Sequence, residues 1–214
     1  MVSSKKIKYD YQKKFNPKNL KSDSVDRLST SFVPRNSKIL ELGCATGFMS
    51  QYFRKVLGCQ IIGVDIDSQS KPTIVGDLDK KSTWKQIKAK KPYDLVFASA
   101  VIEHLKEPEI ILQSIKQVLK PQGDLIITTP NVAHWRTRWN LLLGKWNYTD
   151  YGILDRTHLK FFTYNTFQQL IKNAGFKIKA IKLDPAGGIK YFNFIAKYFP
   201  NFYAHQVVIY AKKN

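Results

Sequence analysis

Apolar positions along the 214-residue chain alternate between two rhythms. Short continuous runs, Ile39-Leu40 with Leu42, Ile61-Ile62 with Val64, and Leu95-Val96-Phe97, read as strands buried on both faces. Between them, apolar residues recur at helical spacing. Val25, Leu28 and Phe32 predict a helix within 20–32, and Met49, Tyr52, Phe53, Val56 and Leu57 predict one from about Phe48 to a stop at Gly58. Further on, residues 83–87 form a short helix stopped by Pro92, and Ile111, Ile115, Val118 and Leu119 share a face over 110–119. Thr163 can cap a helix carrying Phe167, Leu170, Ile171 and Ala174, which Gly175 ends. Residues 72–76 are a weaker third strand, and 125–128, 176–183 and 206–211 complete the set. Strand followed by helix, repeated this often, predicts an α/β fold: a parallel sheet joined by right-handed crossovers.

The alternation fails in three places. Residues 1–34 read as a basic, aromatic arm, with Tyr9, Tyr11 and Phe15, leading into the first helix. Residues 131–162 form an excursion too long for an ordinary connection, rich in Trp135, Trp139, Trp146, Tyr148 and Tyr151. A second excursion, 187–204, carries Tyr191, Phe192, Phe194, Tyr198 and Phe199 among lysines. Both excursions read as caps on one domain spanning 1–214.

Composition narrows the class only a little. An apolar fraction of 43% with 24% charged residues is that of a globular protein with a full-sized core. The net charge of +19 suits nucleic acid, anionic lipid or an acidic glycan without choosing among them, and the cations are spread rather than gathered in one stripe. Two cysteines, Cys44 and Cys59, make neither a disulfide framework nor a cysteine metal cluster, so a cytoplasmic setting is expected. Neither end carries a long apolar run, so any membrane contact, such as one with an anionic surface, is expected to be peripheral.

The chemistry centres on residues 38–47 and 61–65. Gly43 and Gly47 bracket a tight turn between the first strand and its helix, where the backbone can pass close to a ligand. Some twenty residues later Asp65 ends the second strand, where an acid can accept both hydroxyls of a ribose. The glycines are not spaced Gly-x-Gly-x-x-Gly, which favours a nucleoside without pyrophosphate. Asp77 follows the third strand, over the same crevice.

These residues resemble the class I S-adenosylmethionine-dependent methyltransferases. Glu41-Leu42-Gly43-Cys44-Ala45-Thr46-Gly47 looks like their cofactor loop, Asp65 like their ribose acid, and Gly76-Asp77-Leu78 like their adenine-side motif. The resemblance implies a Rossmann-like seven-stranded sheet of order 3-2-1-4-5-7-6 with the last strand antiparallel. It also implies S-adenosylmethionine as cofactor and S-adenosylhomocysteine as product, with Ile66 and Ser99 joining the cofactor set of Glu41, Gly43, Cys44, Ala45, Gly47, Asp65, Asp77 and Leu78.

A narrower resemblance is to small bacterial methyltransferases found with glycan-assembly genes, carried by Val101 to Leu105, Pro130 to Trp135 and above all residues 148–163. It implies O-methylation of a sugar hydroxyl on a glycan or a lipid- or nucleotide-linked intermediate. His104, with His158 as alternate or partner, is the candidate base, and His134, Trp135, Arg138, Tyr151, Asp155 and Arg156 are candidate acceptor contacts. Ubiquinone-pathway and small-RNA methyltransferases carry a Glu-x-x-Glu-His metal segment at the equivalent place. Here Glu103 and His104 match it, His158 falls at a later histidine, and Ala100 replaces the first glutamate, so no metal is assigned. RNA ribose or a small quinone-like acceptor, or an inactive cofactor-binding partner subunit, are the alternatives.

Overall fold

The computed structural model describes residues 16–185 and 198–214. The expected aromatic arm, with Tyr9, Tyr11 and Phe15, and most of the second excursion, 186–197, lie outside the described residues.

Seven strands form one sheet in the order β3-β2-β1-β4-β5-β7-β6, namely β1 Lys38–Leu42, β2 Gln60–Asp65, β3 Ile74–Val75, β4 Tyr93–Ser99, β5 Leu119–Pro130, β6 Phe176–Asp184 and β7 Gln206–Lys213. β1 to β5 pair in parallel, and β7 runs antiparallel to both neighbours. Among the described residues they are accompanied by α1 Val25–Thr30, α2 Phe48–Leu57, α3 Lys81–Lys88, α4 Pro108–Val118, α5 Trp135–Leu142 and α6 Tyr164–Asn173, with a single helical turn at Pro200–Tyr203.

The apolar runs explain the layering, because successive side chains of a strand point to opposite faces. Leu40, Val96, Ile127 and Ile209 share one core with Leu112 and Ile115 of α4 and Phe167 and Ile171 of α6. Their neighbours Ile39, Leu95 and Ile126 face the other side, against Met49 and Phe53 of α2. There the Phe53 and Phe97 rings meet edge to face, with centroids 5.2 Å apart and planes at 71°. A strand buried on both faces calls for a nearly continuous apolar run; β4 and β5 have one at 95–98 and 125–127, and β1 is apolar but for buried Glu41.

Two elements differ from the periodicity. α1 is shorter than the 20–32 segment, because the Arg27 guanidinium donates back to the Lys18 and Leu20 carbonyls and holds the preceding residues as a separate turn. β5 starts at Leu119, six residues before its apolar run, because Leu119 pairs with Tyr93 before the ladder shifts register.

Residues 131–162 leave the sheet and return to the same point. Asn131 bridges Phe162, and the Val132 amide donates to the Phe162 carbonyl at 2.9 Å. The interval contains α5. Fully buried Asn131 ties this exit to the short turn Pro200–Tyr203 before β7, its amide nitrogen donating to the Asn201 and Ala204 carbonyls at 3.1 and 2.6 Å. Asn131→Ala strands those carbonyls, and a loss of about 2–3 kcal/mol in urea unfolding is expected.

Candidate active site

The carboxyl ends of β1, β2 and β4 open onto one cavity of about 680 Å³, the crevice position where parallel α/β sheets hold ligands. Its floor is the turn after β1. The Gly43 and Cys44 amides donate to the Val64 carbonyl at 2.8 and 3.1 Å, which sews the turn to β2. Gly43 has φ +64°, and a Cβ there would stand 2.5 Å from Val101 Cγ2. Only glycine fits, on backbone and steric grounds alike.

Asp65 closes the other side. Its Oδ2 accepts the Ala45 amide at 2.8 Å and its Oδ1 the Asp67 amide at 2.9 Å, leaving further lone pairs on each oxygen. Asp77 accepts the Asp79 amide in the same way, so it caps its own turn while lining the cavity. Ile66 and Leu78 supply apolar wall, and Ser99, hydrogen-bonded to Thr128, stands at the end of β4.

The charge of this cavity opposes that of the molecule. Asp26, Glu41, Asp65, Asp67, Asp77 and Asp79 line it, with no lysine or arginine among the lining residues. In a chain with 35 basic and 16 acidic residues, gathering six carboxylates at one concavity selects for a cationic ligand. Burial pushes Glu41 up to about 7, against the hydroxyl of Ser50 that donates to it. Burial and the neighbouring Asp184 charge push Asp26 up to about 6.

His104 reaches the cavity from the turn after β4. Its Nδ1 lies 3.0 Å from the Thr157 carbonyl, which puts the proton on Nδ1 and the lone pair on Nε2. Thr157 is itself held by Asp155, whose Oδ1 accepts the Thr157 amide and hydroxyl at 2.9 and 2.7 Å. The His158 ring packs edge-on against His104, centroids 4.7 Å apart, with Nδ1 2.9 Å from the Ile153 carbonyl. Its Nε2 lies 4.0 Å from Glu103 Oε1. Glu103 is fully buried, neither carboxylate oxygen makes a well-formed hydrogen bond among the described residues, and burial pushes it up to about 8 against the nearby Thr129 hydroxyl. Ligand atoms of Glu103, His104 and His158 all lie within 4.8 Å of one another.

A methyltransferase-domain model matches residues 11–181. The chain belongs to that family. This methyltransferase is 30% identical over 139 residues to the mitochondrial ubiquinone biosynthesis O-methyltransferase of Rattus norvegicus, covering 57% of this chain and 39% of that one. It is 28% identical over 125 residues to the malonyl-[acyl-carrier protein] O-methyltransferase of Priestia megaterium, covering 52% and 43%. The chain thus spans about two-fifths of the length of these relatives. A SAM-dependent methyltransferase structure from Archaeoglobus fulgidus superposes with a TM-score of 0.58 at 20% identity, covering 89% of this chain and 95% of that one. Class I fold and S-adenosylmethionine dependence follow from the family and the sheet order.

Several expected site residues of the methyltransferase sit elsewhere. Gly47, at φ +73°, precedes α2 and shapes the turn but does not line the cavity. The Cys44 thiol faces inward, where a Cβ on Gly63 would lie 2.9 Å from its sulfur, and burial pushes it up to about 12, so only its backbone serves the loop. His158 stands behind His104 rather than on the cavity wall. Trp135, Arg138, Tyr151 and Arg156 are also off that wall. Trp135 carries the Arg136 guanidinium over its ring, Arg138 donates to the Ala133 carbonyl, and Arg156 pairs with exposed Asp150 rather than with buried Asp155.

His134 lies off the cavity wall. It is buried, its Nδ1 accepts the Arg136 amide as the cap of α5, and its ring stands edge-on to His205 at 5.5 Å. Conversely, Asp26 and Gln206 line the cavity although neither stood out in the sequence. They meet it only because β7 returns beside β5, a placement no local pattern encodes.

Burial holds His134 down to about 4. The unfolded chain therefore binds more protons between about pH 6.5 and 4, and the methyltransferase loses stability as pH falls through that window. His134→Asn keeps a capping acceptor and removes the titration, so its melting temperature is expected to fall less steeply from pH 6.5 to 4 than that of the parent.

Proposed function

We propose that the chain O-methylates a hydroxyl of an acceptor admitted beside His104. The six-carboxylate cavity with one imidazole at its rim carries this reading. S-adenosylmethionine supplies an activated, cationic methyl donor and leaves as S-adenosylhomocysteine. Asp65 is suited to accept the ribose hydroxyls, Asp77 the adenine edge, and Ile66 and Leu78 to flank the base, while Glu41, Gly43, Cys44 and Ala45 form the floor through side chain or backbone. As the carbon–oxygen bond forms and the carbon–sulfur bond breaks, His104 Nε2 takes the hydroxyl proton, and its Nδ1 hydrogen bond to Thr157 steadies the resulting imidazolium. Much of the remaining work is alignment, which the anchored 155–158 loop supplies.

The donor set of Glu103, His104 and His158, with an orphaned buried carboxylate, also fits a divalent cation. Those three residues would hold it, Ala100 adding no ligand; because His104 could ligate only through Nε2, the cation would replace its role as base and would polarise an acceptor hydroxyl as a Lewis acid.

The acceptor we favour is a sugar hydroxyl on a glycan or a lipid- or nucleotide-linked intermediate in the cytoplasm, a reading supported by the 148–163 run and the exposed aromatics of the cap. A phenolic, quinone-like acceptor is the second reading, supported by the relatives named for ubiquinone biosynthesis. Transfer of labelled methyl to a panel of lipid-linked sugars and catechols separates them. No transfer to any member, with S-adenosylhomocysteine still bound, points instead to a partner subunit.

Two sets of variants check the roles. Asp65→Ala is expected to weaken S-adenosylhomocysteine binding by about tenfold or more in calorimetry without lowering the melting temperature by more than about 5 °C, and Gly43→Val to abolish binding. His104→Ala is expected to lower kcat by about 10²–10³ with cofactor affinity kept, and His158→Ala by a smaller factor. An unchanged kcat in His104→Ala would remove the base assignment.

A further inference from the structure

The cap ends in a tip whose surface is unlike the rest of the molecule. Every residue over 138–151 is exposed, and α5 buries only Thr137. At its end Leu141, Leu142 and Leu143 are 57%, 76% and 52% exposed, with Trp139 at 59%. Successive helical positions lie about 100° apart, so the three leucines fan across roughly 200°. A partner helix or groove covers one stripe of about 100° and would leave part of that fan in water. An interfacial medium that surrounds a protruding tip covers all of it.

The residues around the tip match an anionic lipid surface. Arg136, Arg138 and Lys145 flank it, and there is no aspartate or glutamate between Asp124 and Asp150. Trp146 and Tyr148 follow within two turns' length and are exposed, as amphipathic rings at a headgroup boundary would be. Arg138 also shares a groove of about 520 Å³ with Tyr198, Phe199 and Phe202, which widens the aromatic rim. No helix among the described residues is long and apolar enough to cross a membrane, so this contact lies in the interface plane.

We propose that the end of α5 docks the protein on anionic phospholipid, with Leu141 to Leu143 at the boundary between headgroups and acyl chains. The docking is independent of the base and of which hydroxyl is methylated.

Flotation of the full chain with vesicles of phosphatidylcholine alone, or with about 30% phosphatidylglycerol, tests it. Recovery with the anionic vesicles is expected, falling about tenfold or more in a Leu141→Ser, Leu142→Ser, Leu143→Ser variant that still binds S-adenosylhomocysteine. Leu142→Trp, a single change at the most exposed position, is expected to bind more tightly. Equal recovery of the triple variant reduces the contact to charge alone and overturns the role of the tip. Absence of flotation, together with a dimer in sedimentation that the triple variant loses, overturns the proposal in favour of a second copy of the chain.

Discussion

Everything at the cavity depends on how two backbone turns are held in conformations that an L-residue resists. Ala45 and Ala100 have φ of +44° and +53°, at a cost of about 1–2 kcal/mol each. Each amide is pinned by a side chain from the adjacent strand: Ala45 by Asp65 Oδ2 at the end of β2, and Ala100 by Thr128 Oγ1 of β5. The strain is thus offset across the sheet rather than within either turn. Val101, next to Ala100, fills the space over Gly43 that any side chain would need. The two turns therefore depend on each other, and the concavity between them is a product of strand order rather than of either loop alone.

This explains which parts were legible in the linear chain. β1, β2 and β4 declare themselves because central parallel strands are apolar on both faces, Glu41 at the cavity end of β1 being the exception, and α2 and α6 because glycines end them. Asp65 was legible because an acid at the end of a strand has one obvious neighbour, the preceding turn. The order of strands, and the reversal of β7, rested on resemblance alone. With them went Asp26 and Gln206, which reach the cavity from α1 and β7, and Thr128, whose hydroxyl looks like any other in a strand. The cap that His134 makes for α5 was hidden for a related reason, since nothing local marks where its ring will point. Asp155 and Arg156, adjacent in the loop, face different surroundings that their spacing could not show, one buried under Thr157 and the other in solvent against Asp150.

The 131–162 excursion has two faces with different tasks. Its inner face returns to the sheet and sets the histidines: the Leu159 and Lys160 amides donate to the Glu103 carbonyl at 2.8 and 3.0 Å, and Asp155 fixes the carbonyl that orients His104. Trp146 links the two faces by packing edge-on against Phe161, while the outer face carries Trp139 and Leu141 to Leu143, each more than half exposed. A segment needed only to position a base would have no reason to expose them.

Electrostatics divides the molecule in a parallel way. The outside is strongly basic, while the cavity gathers six carboxylates, two of them raised by burial toward neutrality. Such a concavity favours a cation over its neutral counterpart, and methyl transfer converts a sulfonium into a neutral thioether. The donor is therefore attracted more strongly than the product by the same fixed charges, so exchange of spent cofactor is assisted without any moving part. The basic exterior exerts the opposite preference, for anions, over the rest of the surface. The separation is sustained because the cavity acids are held by backbone amides and the Ser50 hydroxyl rather than by lysines or arginines, which leaves the surface cations available to the outside.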